Sequence, residues 1–195
     1  MEKTLENAKE IIIEVESDMK IGKVSRLNKQ HLRKAIFIDR DGVINKEVDN
    51  LKNISDFVLL DGVATSINRI NNSEFLPIII TNQPVIAKGF LSIIDLDEIH
   101  KKLTTLLGQE RAYVNDIYYC PHHPESGFDG EVRDLKIDCD CRKPGIKMIQ
   151  DAERDYNIDL KNSYFIGDRY VDIQTGYNAG VKTILVQTGH AGNDK

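Results

Sequence analysis

From Ala35 onward the chain alternates short apolar runs with amphipathic segments, and the apolar runs end on polar residues able to do chemistry. "AIFI" stops at Asp39, "LPIII" leads into Thr81-Asn82-Gln83, and "SYFIG" leads into Asp168-Arg169. Between them, "VATSINRINN" puts Val63, Ile67 and Ile70 on one helical face. Ser92 and Asp95 have capping-box spacing ahead of "IIDLDEIHKKLTTLL". "DIYYC" and "KTILVQ" read as further strands, Pro144 is expected in the first turn of the helix "GIKMIQDAERDY", and Gly180 stops "VDIQTGYNA". This βαβα rhythm predicts an α/β fold with a parallel sheet covered by helices on both faces. "LPIII", apolar throughout, fits a strand buried on both sides. Ligands of such sheets gather beyond the carboxyl ends of the strands, so the polar residues found there form the candidate site.

Residues 1–34 differ from the rest. Leu5, Ala8, Ile12, Val15 and Met19 recur at helical spacing, Gly22 is a natural stop, and "KVSRLNKQHLRK" reads as a polar linker. The expected organisation is an N-terminal helix and linker over 1–34, followed by one α/β domain over 35–195. A chain of 195 residues can bury a substantial core in one such domain. A net charge of −5 with no basic run argues against nucleic acid as a partner. No apolar run reaches membrane-spanning length, which argues against a membrane partner. A polar start without a signal-peptide pattern, together with only three cysteines, points to a cytoplasmic protein.

Asp39 and Asp41 stand two apart at the end of an extended run. Both side chains are therefore expected on one side, with Arg40 pointing away. Two close carboxylates resist ionising together unless a cation or a shared proton intervenes. A hard cation with oxygen ligands, Mg²⁺ above all, suits them, with Asp168 as third contributor and Asp172 in support. Lys143, after the cysteine segment, adds a positive charge to the same edge.

"FIDRDGVIN", "IIITNQ", "CRKP" and "FIGDRYVD" resemble, in this order, the four motifs of the haloacid dehalogenase (HAD) superfamily of aspartate-nucleophile phosphatases. The resemblance implies a Rossmann-like fold and a magnesium-dependent phosphatase. It assigns Asp39 as nucleophile, Asp41 as general acid and base, and Thr81 and Lys143 as holders of the phosphoryl oxygens. Mg²⁺ would be held by Asp39, the backbone carbonyl of Asp41, and Asp168. A receiver-like phospho-aspartate signalling domain is the nearest non-enzymatic rival, although it has no reason to carry the cysteine segment.

Forty residues separate Asp41 from Thr81, too few for a cap domain beside a turn, a helix and a strand. The chain is therefore expected to be cap-less, with the cysteine segment shaping the pocket. Cys120, Cys139 and Cys141 with His122 or His123 supply three sulfurs and one imidazole, a donor set suited to structural Zn²⁺. The sixteen residues "HPESGFDGEVRDLKID" are too polar to build a core, so a metal would give this zinc-binding loop its shape.

"YYCPHHP", "CDCRKP", "DRDGVIN" and "TNQ" together resemble the branch of D-glycero-D-manno-heptose-1,7-bisphosphate 7-phosphatases, with the histidinol-phosphate phosphatases as near relatives. That resemblance selects His122 as the zinc ligand and implies a small phosphorylated sugar as substrate. It places Arg142 on the non-reacting phosphate and Glu47, Asp49, Asn50, Asn82, Gln83 and Arg169 around the sugar. Pro84 and Val85 depart from the family's usual loop. "DMKIGKVSRLN" ahead of "KAIFIDRDG" resembles the junction of fusions with a sugar nucleotidyltransferase, implying a functional link to such an enzyme.

Overall fold

The computed structural model describes residues 32–194. Of the helix and linker expected over 1–34, all but residues 32–34 lie outside them, and Lys34 already opens the first strand. Five strands form one parallel sheet in the order β3-β2-β1-β4-β5. They are β1 (Lys34–Ile38), β2 (Phe75–Asn82), β3 (Asp116–Cys120), β4 (Tyr164–Gly167) and β5 (Lys182–Leu185). The helices are α1 (Val63–Asn71), α2 (Ile93–Gln109), α3 (Lys147–Tyr156) and α4 (Tyr170–Ala179). Among the described residues no helix is long and apolar enough to cross a membrane.

Strand alternation divides the core in two. Ile38 and Ile79 join Ile67, Leu96, Ile99 and Leu103, contributed by α1 and α2, on one face. Phe37, Ile78, Ile80 and Phe165 join Met148, Ile149 and Ala152 of α3 on the other. The continuous apolar run of β2 follows from this double burial, since a strand covered on both sides has no solvent-facing positions. Ser92 caps α2 with both halves of the box formed: its hydroxyl accepts from Asp95 N at 3.1 Å, and Asp95 Oδ2 accepts from Ser92 N at 3.1 Å.

One boundary differs from expectation. Helix α3 starts at Lys147 rather than around Pro144, because residues 142–145 close a tight turn with Gly145 N donating to Arg142 O at 2.7 Å. Between Asp41 and Thr81 the only described helical elements are α1 and a single 3₁₀ turn at Ile54–Asp56, so no cap domain is inserted there. The strand order reverses between β1 and β4, which places the ends of these two strands at the switch point where open α/β sheets bind ligands.

Candidate active site

Four segments meet at the carboxyl edge: the turn after β1, Thr81–Gln83, Arg142–Lys143, and the start of α4. They surround a cleft of about 330 Å³. At its base Lys143 Nζ donates to Asp39 Oδ1 at 2.7 Å and to Asp172 Oδ1 at 2.6 Å, with all three groups buried. Burial works against the ammonium, but Asp172 and Asp39 outweigh it and hold Lys143 charged, well above the ordinary lysine range. Burial and the neighbouring Asp172 push Asp39 upward, against the pull of Lys143. Asp172, expected in support of the acidic group, stands beside Asp39 and Asp168. Its two oxygens serve Lys143 and the backbone N–H of Arg169, the latter at 3.0 Å.

Asp168 accepts from the backbone N–H of His190 at 2.7 Å through Oδ2, while its Oδ1 is buried with no hydrogen-bond partner. Burial raises its pKa. Asp39, Asp168 and Asp172 present oxygens within 4.8 Å of one another. Three carboxylates face one ammonium here, a formal excess of two negative charges in a buried space. An orphaned carboxylate oxygen and that charge excess fit a small divalent cation with oxygen ligands. Two glycines allow the chain to approach this closely. Gly42 (φ 81°) and Gly189 (φ 57°) occupy left-handed conformations, and a Cβ on either would lie 2.4 or 2.2 Å from Asp168 Oδ2.

Arg40 does not point away. The strand ends at Ile38, and the chain turns at once, with Ile44 N and Asn45 N both donating to Arg40 O, so strand alternation no longer applies. The Arg40 side chain is wholly buried and forks onto Asp41, with Nη2 2.9 Å from each carboxylate oxygen. Asn45 Nδ2 and Gln83 Nε2 each donate to Asp41 at 2.9 Å. Burial opposes ionisation of Asp41, yet Arg40 and these amides prevail and lower its pKa. Gln83 Nε2 also donates to Thr81 Oγ1 at 2.9 Å.

On the far side, Arg40 Nη1 donates to His100 Nε2 at 3.2 Å. Because arginine offers no acceptor, His100 is neutral with its proton on Nδ1. Burial and Arg40 push its pKa down from 6.5 to about 4. A histidine depressed in the fold stabilises it above the unfolded value, and that stability is lost as pH falls from 6.5 towards 4. The difference in unfolding free energy between the unaltered protein and His100→Gln, which keeps an acceptor for Arg40, should therefore shift by about 3 kcal/mol at most across this window. Urea unfolding at a series of pH values checks this; parallel pH profiles would contradict it.

The residues expected around a substrate line the cleft with distinct attachments. Arg142 Nη1 donates to His122 O at 3.3 Å, and Arg169 Nε donates to Asp194 Oδ2 at 3.1 Å. Glu47 accepts from Asp49 N at 2.8 Å, and its other oxygen lies 3.6 Å from His190 Nε2. Asp49 and Asn50 both adopt positive φ, 42° and 73°. Asn82 lines the cleft but spends its amide on Lys143, accepting from its N–H at 2.9 Å and donating to its carbonyl at 3.2 Å. His190 and Asp194 were not anticipated. They follow β5, whose carboxyl end faces the same edge as the strands whose ends drew attention, so the same positional rule would have found them.

Cys120, His122, Cys139 and Cys141 come together, with Sγ···Sγ separations of 3.2–3.5 Å and His122 Nδ1 lying 3.3 Å from Cys141 Sγ and 3.6 Å from Cys120 Sγ. A tetrahedron around zinc has edges of about 3.8 Å between sulfurs and about 3.6 Å from sulfur to nitrogen, so the four donors converge on one point with somewhat tighter sulfur spacing. All three cysteines are free thiols, and burial pushes those of Cys120 and Cys141 up. His123 faces elsewhere: its Nδ1 accepts from Glu125 N at 3.2 Å, and its ring meets Phe128 edge-on. The loop also has an anchor that composition did not reveal. Phe128 packs edge-on against Phe90, with Lys88 and Lys136 over its ring, and Val132 N donates to Ala87 O at 2.9 Å.

A family model described as HAD-hydrolase-like matches residues 140–195. The chain is 38% identical over 141 residues to a D-glycero-beta-D-manno-heptose-1,7-bisphosphate 7-phosphatase of Haemophilus ducreyi, covering 72% of this chain and 75% of the relative. It is 40% identical over 139 residues to the alpha-anomer counterpart of Photorhabdus laumondii, covering 71% and 74%. Among solved structures, the D,D-heptose 1,7-bisphosphate phosphatase of B. bronchiseptica, complexed with magnesium and phosphate, superposes with a TM-score of 0.71 at 34% identity, covering 81% of this chain and 83% of that one. The five-stranded parallel sheet, the acidic cleft at its switch point and these relatives agree: the chain belongs to the heptose-1,7-bisphosphate 7-phosphatase family of HAD-like hydrolases.

Proposed function

We propose that this protein is a magnesium-dependent phosphatase that removes the C7 phosphate of D-glycero-D-manno-heptose 1,7-bisphosphate, in the making of nucleotide-activated heptose. The observation that carries the reading is the buried Asp39–Lys143–Asp172 cluster beside the orphaned Asp168 oxygen. Asp39 attacks phosphorus, the bond from phosphorus to the C7 oxygen breaks, and that oxygen takes a proton from Asp41, a proton Asp41 must first gain against the hold of Arg40, Asn45 and Gln83. Water, losing a proton to Asp41, then attacks the aspartyl-phosphate, releasing inorganic phosphate and restoring Asp39. Lys143 and Thr81 stabilise the equatorial oxygens as charge builds on them. Asp39, the Asp41 carbonyl and Asp168 would hold Mg²⁺, which supplies further charge neutralisation at the phosphoryl group.

The zinc loop stands where larger relatives of the superfamily place a cap. Held at Cys120, His122, Cys139 and Cys141, it delivers Arg142 to the non-reacting phosphate and Lys143 to the reacting one. Glu47, Asp49, Asn50, Gln83 and Arg169 surround the sugar, and Asn82 serves it by fixing Lys143. The work is cytoplasmic and links this protein to the nucleotidyltransferase that consumes its product after phosphate removal.

Side-by-side kcat/KM for both heptose bisphosphate anomers and histidinol phosphate tests the reading; a preference for histidinol phosphate would reject it. Arg142→Ala should raise KM for the bisphosphate about 10- to 100-fold, the worth of a charge-assisted hydrogen bond, with kcat little changed. An unchanged KM would remove Arg142 from the distal phosphate.

A further inference from the structure

Among the described residues Arg40 is one of the largest fully buried side chains, and it does not line the cleft, so it stands out of reach of a substrate there. Its charge is matched by a single carboxylate, Asp41, which it grips through Nη2 at 2.9 Å from both oxygens and through Nε at 3.3 Å from Oδ1. The guanidinium is itself fixed at its other corners. Nη2 reaches Gln83 Oε1 at 3.0 Å, and Nη1 reaches His100 Nε2 at 3.2 Å. His100 in turn sits on α2, edge-on to Tyr119 of β3, with ring centroids 5.8 Å apart. The planar fork thus ties the direction of the Asp41 carboxylate to a neighbouring helix and strand as well as to its own turn. A lysine would keep the charge but lose the two-point grip.

We propose that Arg40 is a positioning residue for the reaction: its buried fork, braced by His100 and Gln83, aims the Asp41 carboxylate at the oxygen leaving phosphorus. The role rests on the phosphatase reading above, in which Asp41 exchanges a proton with the departing sugar. It has a distinctive signature. An alkoxide leaving group needs a well-aimed acid, whereas p-nitrophenolate departs without one, so damage to the aim should depend on the leaving group.

The test uses the full chain with Mg²⁺, measuring kcat, KM and the first-turnover rate of leaving-group release on heptose bisphosphate and on p-nitrophenyl phosphate. The proteins are the unaltered chain, Arg40→Lys, Asp41→Asn, and the two substitutions combined. Arg40→Lys is expected to lower kcat on the sugar phosphate about 30-fold, within the roughly 100-fold loss produced by misplacing a catalytic group by about 1 Å. On p-nitrophenyl phosphate the first-turnover release of p-nitrophenolate should slow by less than about threefold, because only hydrolysis of the aspartyl-phosphate, a step both substrates share, still needs Asp41; KM should stay steady on both substrates. Added to Asp41→Asn, the lysine should cost less than about twofold, because the group it aims is gone. Should Arg40→Lys fail to fold, His100→Phe removes the brace while keeping the ring against Tyr119, and a smaller loss with the same leaving-group dependence is expected. Equal losses in both Asp41 backgrounds, equal losses of first-turnover rate on both substrates, or a raised KM at constant kcat would overturn the positioning role alone. An unaltered protein that releases phosphate from neither substrate would overturn the phosphatase reading and this role with it.

Discussion

Asp39→Asn is expected to lower kcat by about four orders of magnitude while leaving the fold intact, the scale on which loss of a covalent nucleophile registers. The amide has no anionic oxygen to attack phosphorus and cannot form the acyl-phosphate. Its carbonyl oxygen can still accept from Lys143 Nζ, which now sits 2.7 Å from Asp39 Oδ1. The substitution also removes one of three carboxylates crowded within 4.8 Å of one another, so unfolding should occur at the same temperature or higher in metal-free protein. Kinetics and thermal unfolding on the same preparation check both halves. A kcat within about tenfold of the unaltered protein would exclude Asp39 as nucleophile.

Zinc removal is the second large effect. Reduced protein purified without chelators is expected to hold about one equivalent of zinc, and stripping it should cost at least about 100-fold in kcat/KM, the penalty for loosening substrate-positioning groups. The reason is local. Cys141 is bonded in sequence to Arg142, and Arg142 hydrogen-bonds the carbonyl of His122, so two cluster members border the residues proposed to meet the phosphates. The sheet should survive, because its two cores contain few residues of the loop. Metal analysis of Cys139→Ser, with circular dichroism and kinetics, separates local from global damage. Stoichiometric absence of zinc in the reduced protein would reject the metal site, and unimpaired turnover after stripping would reject its link to catalysis.

The sheet, its helices and the acidic edge were legible because burial writes directly into sequence. A strand covered on both faces must be apolar throughout, as β2 is, and a helix covered on one face must repeat, as α1 does. What stayed hidden depends on where the chain leaves regular structure. Arg40 lies in the turn just past Ile38, where alternation ceases to predict direction, so nothing in "DRD" revealed a buried fork. Asn82 looked like a pocket residue, yet its amide closes on the backbone of Lys143, sixty-one positions away, and one-dimensional spacing does not report such a contact. His190 reaches Asp168 through its backbone N–H, an interaction indifferent to side-chain identity.

The Asn82 contact carries a consequence for how the cleft responds to its ligand. Thr81 precedes Asn82 on β2, and Arg142 precedes Lys143 at the loop's end, so the two hydrogen bonds of one amide splice strand and loop into a single mechanical part. Neither the end of β2 nor the end of the loop can drift without dragging the other. With the reacting phosphate on Thr81 and Lys143 and the other on Arg142, as proposed above, a bisphosphate would meet a fixed gauge of two anion positions, and length selection among sugars would become a property of the backbone rather than of any sugar-facing side chain.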